Sequence, residues 1–294
     1  MPEWSGVRDK RILITGATRG IGLAAAQALA QRGAQLAIVA RDDARGAAAV
    51  ESIEAEGGSK VDVLHADLTS QASVRALASE ALERYPRIDV LVNNAGAMFT
   101  TRTLTVDGIE STWALNHLAP FLLTTLLLDR LKQSTPARII TTSSDAHKGK
   151  LIPFDDLNAE RSWGGRGFTR YGQTKLANIM FTRELARRLE GTGATAYCFH
   201  PGLVASGFNR NNGALMSTAM VIIAPFSRSP RKAARTLVWL ADSPDVSNQS
   251  GGYYEEQALA VSSRQSQDPT LARRLWEISE EQVRPRTVPE TSAS

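Results

Sequence analysis

Cysteine is nearly absent: Cys198 is the only one among 294 residues. That excludes a disulfide scaffold and a cysteine-built zinc site. The four histidines, His65, His117, His147 and His200, lack the close spacing of a metal motif, so no metal is expected. No internal period is visible, which excludes repeat and fibrous architectures. Long apolar runs are missing too. The longest, Pro120–Leu128 and Ala214–Phe226, fall short of the roughly 20 residues a membrane-spanning helix needs. Lysine is scarce, 7 residues against 27 arginines, so most positive charge is guanidinium, which suits phosphate recognition. Charge of one sign is in small excess only, at +4. The densest basic stretch, Arg228, Arg231, Lys232 and Arg235, has no interleaved aromatics. It reads as a solvated helix face, and no nucleic-acid partner is expected.

What is present is a soluble globular composition, 43% hydrophobic and 22% charged. No Pro/Ser-rich linker divides the chain, so one domain is expected over residues 1–280, with a frayed polar tail at 281–294. Met1 to Arg11 is polar and the first apolar run is short, so no export signal is expected and the default is a cytoplasmic protein.

Short β-rich runs alternate with helical ones. Strands are expected at Arg11–Thr15, Gln35–Ala40, Lys60–His65, Ile88–Asn93, Arg138–Ser143 and Ala194–Phe199. Helices are expected at Gly20–Gln31, Asp42–Glu56, Ser70–Arg84, Asp107–Leu131 and Phe168–Leu189. Continuous apolar strands separated by helices indicate an α/β fold, a parallel sheet covered on both faces. A first strand leading through a Gly-rich turn into a helix opens a Rossmann-type doubly wound domain.

That turn reads Thr15-Gly16-Ala17-Thr18-Arg19-Gly20-Ile21-Gly22. Gly16 permits the sharp exit from the strand, while Gly20 and Gly22 let a pyrophosphate and the sheet approach. The spacing is G-x-x-x-G-x-G, and a plain Gly-rich turn is the competing reading. A triphosphate loop fails because no Gly-Lys-Ser/Thr follows. Strand two ends directly before Arg41, with Arg19 in the glycine turn. Two guanidiniums there favour a ribose 2′-phosphate, hence NADP(H), whereas an acid would favour the free hydroxyl. Asp42, one place later, reads as a helix cap. A surface role for Arg41 is the plainer alternative.

Tyr171-Gly172-Gln173-Thr174-Lys175 sits near the start of a long helix, where residues four apart share a face. An ammonium beside a phenol favours phenolate and equips Tyr171 for acid–base work. With 5 Tyr and 7 Lys, chance supplies roughly 0.1 such pairs. Thr141-Thr142-Ser143-Ser144 ends one strand and Asn93-Asn94-Ala95-Gly96 another, at the sheet edge where ligands bind. Asn116 lies in the long helix, where an ordinary helical asparagine is the default.

TGATRGIG, NNAG, the paired serines, YGQTK and His200-Pro201-Gly202 together resemble the short-chain dehydrogenase/reductase family over about residues 8–260. The stretches 116–124, 175–189 and 200–204, and the long Ser144-to-Tyr171 separation, look most like its retinol dehydrogenase-like branch. Residues 148–167 resemble an insertion of that branch. The resemblance implies that Tyr171 donates and accepts the proton, Lys175 lowers its pKa and bonds the nicotinamide ribose, and Ser144 holds the substrate oxygen. Ser143 is the competitor for that last role. Asn116 would hold a water joining Lys175 to solvent. Gly16, Thr18, Arg19, Gly20, Ile21, Gly22 and Arg41 would hold the phosphates, and Asp67 and Leu68 the adenine. Asn93, Ala95 and Gly96 would flank the adenosine ribose, and Pro201 and Gly202 the nicotinamide. Ser206 takes a place usually held by threonine. The implied activity is NADP-dependent interconversion of a carbonyl and an alcohol.

Two other readings share this scaffold: a non-catalytic dinucleotide sensor and a nucleotide-sugar epimerase or dehydratase. The second usually carries a larger C-terminal domain than the roughly 90 residues that follow strand six here. Residues 204–230 begin Gly/Asn-rich and turn apolar, as a cover over a lipophilic substrate would. A buried helix, or membrane-surface contact through 214–235, are the alternatives. Helices 107–131 and 168–189 resemble the four-helix interface of family oligomers, leaving a homodimer or homotetramer open, with the 148–167 insertion as an obstacle.

Overall fold

The apolar strand runs define the architecture. The structure, a computed structural model, describes residues 3–57, 60–202, 228–247 and 249–285. Strands β1 (Arg11–Thr15), β2 (Gln35–Ala40), β3 (Asp62–His65), β4 (Val90–Asn93), β5 (Ala137–Thr142), β6 (Ala194–His200), β7 (Tyr253–Glu255) and β8 (Ala258–Leu259) form one sheet. Its order is β3-β2-β1-β4-β5-β6-β7-β8, with every pair parallel except β7 and β8.

Alternation along β1 divides the core. Leu13 joins Leu91 and Ile139 on one face, while Ile12 and Ile14 join Val90, Val92 and Ile140 on the other. Each face must be covered, which is why the apolar runs are continuous. Helices α1 (Gly20–Ala30), α2 (Asp43–Glu54) and α7 (Pro230–Asp242) cover the second face with Leu29, Ile53 and Leu237. Helices α3 (Gln71–Arg84), α5 (Ala119–Gln133), α6 (Phe168–Arg188) and α8 (Pro269–Gln282) cover the first with Leu77, Leu127, Leu176 and Trp276. The chain switches direction between β1 and β4, and the cleft opens at the carboxyl ends of the strands there.

Three expectations need correction. The helix expected from Asp107 starts later: α4 (Ser111–Trp113) leads into a π turn at Ala114–Leu118 and then α5. Asp107 instead accepts the Gln71 N–H at 2.8 Å, so it caps α3 from outside. Glu110 opens α4 by accepting the Thr112 and Trp113 N–H groups at 2.7 and 3.0 Å. Second, the sheet is not wholly parallel, because β7 and β8 form a short antiparallel edge that no long β-run announces. Third, α8 runs to Gln282 and Val283 is buried, past the expected start of the tail.

Helix α8 also decides which surface α5 and α6 present. Trp276 packs between Phe121 and Phe181, at ring distances of 4.9 and 5.8 Å. Ser279 hydrogen-bonds His117 at 2.8 Å, and the Trp113 indole donates to Gln282 at 2.9 Å. Among the described residues no helix is long and apolar enough to cross a membrane.

Candidate active site

Glycine at 16 and 22 is required by space. A Cβ on Gly22 would stand 2.2 Å from the Gly16 carbonyl oxygen, and one on Gly16 would stand 2.7 Å from Ala95 Cα. No side chain fits either place, so the α1 N-terminus and the end of β4 close onto each other and leave a backbone-lined groove. The Thr15 hydroxyl accepts the Asn94 and Ala95 N–H groups at 3.0 and 3.1 Å, and Asn94 donates to the Gly16 carbonyl at 3.2 Å. The turn is therefore tied to β4 by the protein's own hydrogen bonds.

One cleft of about 880 Å³ runs from this turn along the sheet edge. Gly16, Thr18, Arg19, Gly20, Ile21, Gly22, Arg41, Asp67, Leu68, Ala95, Gly96, Ser144, Tyr171, Lys175, Pro201 and Gly202 all line it. Arg45, on the first turn of α2, lines it as well, although no motif in the sequence marks it. Only the helix register brings Arg45 to the wall that Arg41 lines. Asp42 caps α2 by accepting the Arg45 N–H at 3.0 Å, as its position after Arg41 suggests. The Asp67 carboxylate is turned by Thr69, whose N–H and hydroxyl donate to it at 2.9 and 2.8 Å.

Asn93 is a correction. It is the last residue of β4, and its side chain points into the core, donating to Thr124 at 2.9 Å. Successive strand residues face opposite ways, so Asn94 rather than Asn93 reaches the cleft. Ser206 lies outside the described residues, as does most of the expected cover.

At the other end of the cleft, β5 and α6 position the reactive groups. The Ser143 hydroxyl is buried and donates to the Lys175 carbonyl at 2.7 Å, so it holds α6 and is withdrawn from the substrate role. Ser144 lines the cleft and hydrogen-bonds Tyr171, while its Oγ accepts the Ala146 N–H at 3.2 Å. Lys175 is 2% exposed, and its ammonium donates to the Thr142 carbonyl at 3.1 Å. It lies 5.4 Å from the Tyr171 ring centre.

Burial, not charge, dominates these two groups. Desolvation raises the Tyr171 phenol to about 12, against a smaller downward pull from Ser144. It lowers the Lys175 ammonium to about 8. The expectation that Lys175 draws the phenol toward neutral pH is therefore not met in this geometry. The ammonium points to Thr142 and the phenol is screened from water.

Asn116 is fully buried in the π turn, a helical irregularity frequent at functional sites. Its amide accepts the Ala97 N–H at 2.9 Å and donates to the Ala97 carbonyl and Thr174 hydroxyl at 2.8 and 3.1 Å. The side chain is thus a strut between the end of β4 and α6. A Cβ on Gly96 would lie 3.1 Å from Asn116 Oδ1 and 3.5 Å from Lys175 Nζ, which places both groups close against Gly96.

Apolar Met98, Phe99, Leu115 and Phe168 also line the cleft, together with the polar Asp145, Lys148, Lys150 and His200. Asp145, His200 and Glu255 cluster beside it, the one group of metal-capable side chains among the described residues. His200 Nδ1 accepts the Asp145 N–H at 3.3 Å, which leaves the proton on Nε2 facing the two carboxylates at 3.9 Å. Lys148 already supplies a cation to Asp145 at 2.9 Å. The cluster joins β6 to the turn after β5 by one hydrogen bond and faces Glu255 of β7 across 3.9 Å.

Comparison with known proteins agrees with this geometry. A model of the short chain dehydrogenase family matches residues 10–215. Retinol dehydrogenase 14 of Mus musculus is 42% identical over 295 residues, covering 94% of this chain and 86% of that protein. A protein of Streptomyces sp. (strain C5), named as a proposed daunorubicin C-13 ketoreductase, DnrU, is 43% identical, covering 93% and 92%. Among solved structures, an uncharacterized protein from Mycobacterium Paratuberculosis superposes with TM-score 0.76 at 32% identity, covering 96% and 98%. The NADP active-site complex of Pseudomonas aeruginosa RhlG superposes with TM-score 0.68 at 29% identity, covering 86% and 96%. The protein is therefore an oxidoreductase of the short-chain dehydrogenase family, retinol dehydrogenase-like, that acts between alcohol and carbonyl with a nicotinamide dinucleotide.

Proposed function

We propose that the protein is an NADP(H)-dependent oxidoreductase for a lipophilic carbonyl or alcohol, with Tyr171 as its acid and base. The observation that carries this reading is a single cleft with the glycine turn at one end and Ser144, Tyr171 and Lys175 at the other. The cofactor fits. Gly16 and Gly22 leave a cradle that any Cβ would fill, at a helix N-terminus suited to phosphate. Arg19 and Arg41 line that end, which supports a preference for the 2′-phosphate. The similar RhlG structure is an NADP complex, which supports the same preference.

When bound, the dinucleotide supplies or takes up hydride. The chain's own groups do the rest. In reduction, the protonated Tyr171 phenol donates its proton to the substrate oxygen, and the Ser144 hydroxyl stabilises the charge gathering there. In oxidation the proton returns to Tyr171, which must first ionise. A phenol held near 12 opposes that and favours the donor form. Lys175 is charged below its value of about 8 and offers an ammonium within the same wall. Asn116 keeps α6 and the end of β4 in register through Thr174 and Ala97.

The apolar wall of Met98, Phe99, Leu115 and Phe168 supports a lipophilic substrate, in keeping with the retinol dehydrogenases the chain is similar to. Two further features bear on partners. Arg228 and Arg231, which the alternative of membrane-surface contact would set against headgroups, pair with Glu256 and Glu56. Helix α8 covers the face of α5 and α6 through Trp276, which argues for a subunit that does not oligomerise through that face. We read the protein as cytoplasmic. The test is a panel of aldehydes, ketones and alcohols of graded hydrophobicity, each assayed with NADPH and NADH. The expected result is turnover of apolar carbonyls with NADPH preferred. Tight NADPH binding without turnover of any member would favour a non-catalytic sensor.

A further inference from the structure

The turn after β5 carries Ser144, and a buried histidine three residues later holds it. His147 is wholly buried. Its Nε2 lies 3.1 Å from the Ser263 backbone nitrogen, and that N–H can only donate, so Nε2 is the acceptor. The neutral ring then carries its proton on Nδ1, which donates to the Ser144 carbonyl at 2.7 Å. The same carbonyl also accepts the His147 backbone N–H at 3.1 Å. Tyr253 packs edge-on to the ring at 5.2 Å and donates its hydroxyl to Asp145 at 3.1 Å. Burial keeps the imidazole below its usual range, so the neutral form with one donor and one acceptor prevails.

The ring therefore bridges two parts of the chain more than a hundred residues apart, the serine turn and the 263–267 segment before α8. Neither of its bonds reaches the cleft, and the proton of Nδ1 ends on a backbone carbonyl. His147 thus has no part in proton transfer to substrate. It can act only by fixing where Ser144 stands.

We propose that His147 is a positioning residue whose Nδ1–H locks the Ser144 turn and so aims the Ser144 hydroxyl at the substrate oxygen. This rests on the reading that Ser144 holds that oxygen. A misplacement of about 1 Å by a residue away from the chemistry can cost on the order of a hundredfold in rate.

Two replacements separate the bonds. His147→Asn sets an amide N–H near the place of Nδ1 and gives up the acceptor for Ser263. His147→Gln reaches the place of Nε2 with its oxygen and gives up the donor to Ser144. Purified full-length variants are compared for kcat, KM and NADPH Kd, with a thermal melt on each and Ser144→Ala as reference. Expected is kcat within about threefold of wild type for His147→Asn and a loss of roughly ten- to a hundredfold for His147→Gln, with NADPH Kd unchanged in both. Equal losses in the two variants, a larger loss in His147→Asn, or full activity in His147→Gln would each overturn the proposal. Should Ser144→Ala turn over normally, the serine reading itself fails. A crippled Ser144→Ala beside a normal His147→Gln defeats the positioning role alone. Where one variant is too unstable to purify, kcat of the other below its melting point decides. A loss of about tenfold or more in His147→Asn, or none in His147→Gln, then counts against the proposal.

Discussion

The cofactor half of the cleft and the substrate half are built by different means. Between β1 and β4 the shape of the groove is a property of backbone: glycines at 16 and 22, a helix start, and Thr15 tying the turn to Asn94 and Ala95. Around Ser144 and Tyr171 it depends on side chains brought from far apart: Glu110, Asn116, His147, Arg170 and Tyr253. The first half stands on backbone geometry and on one threonine hydroxyl. The second stands on polar contacts between side chains, most of them buried, whose loss leaves charges or donors unpaired. Single substitutions in the first half should therefore act on cofactor affinity, while those in the second should act on stability and turnover.

The largest effect should come from the buried ion pair of Arg170, the residue before Tyr171, with Glu110. Arg170 and Glu110 are 1% and 0% exposed and 2.7 Å apart. Arg170 also holds the Leu157 carbonyl and lies 4.6 Å from the Trp113 ring centre. Arg170→Met strands a buried carboxylate, and a loss of about 3–5 kcal/mol in unfolding free energy is expected. Denaturant melts check this. Glu110→Gln in the same background should recover part of the loss, and a change under about 1 kcal/mol in Arg170→Met would place the pair outside the scaffold's needs.

In the cofactor half, Arg41→Ala should weaken NADPH by about ten- to a hundredfold, or about 1.5–3 kcal/mol, with NADH and the melting temperature little changed. Titration calorimetry with both dinucleotides reads it. Equal wild-type affinities for the two would remove the 2′-phosphate argument.

Acid should strike the second half first. His117 is buried and held down to about 3, with desolvation as the chief cause. Its unfolded counterpart titrates near 6.5. As pH falls below 6.5 the unfolded chain binds a proton that the folded chain refuses, so stability falls. From pH 6.5 to 5 this amounts to about 2 kcal/mol. Unfolding curves at the two pH values should show that drop and should show less of it in His117→Gln. The smallest graded effect concerns the apolar wall. kcat/KM along a homologous aldehyde series should rise by roughly 0.8 kcal/mol per buried CH₂ until the cleft is full. A flat series, or a peak at a small polar carbonyl, would contradict a lipophilic substrate.

The same contrast accounts for what the sequence discloses. Strands β1 to β6, the glycine turn, Arg41 and the Tyr171–Lys175 pair are legible because each rests on local periodicity or fixed spacing. Asn93 misleads because NNAG offers two asparagines and only the strand register tells which one faces the cleft. Arg45 escapes notice because its place on the cleft wall needs the start of α2 to within a residue. The choice of Ser144 over Ser143 depends on where a hydroxyl points, and Ser143 is spoken for by the Lys175 carbonyl. The α8 cover over α5 and α6 rests on contacts between residues some 95–155 positions apart, such as Trp276 with Phe121 and Phe181, which no window along the chain contains.

Tyr171 as the proton carrier is the claim on which the mechanism depends. Tyr171→Phe keeps the ring and removes the transferable proton. The direct measurement is kcat for an apolar aldehyde with NADPH, taken alongside NADPH Kd in the same preparation. A fall of at least about a hundredfold in kcat with Kd unchanged is predicted. Turnover within a few-fold of wild type would contradict the assignment of Tyr171 and the mechanism built on it.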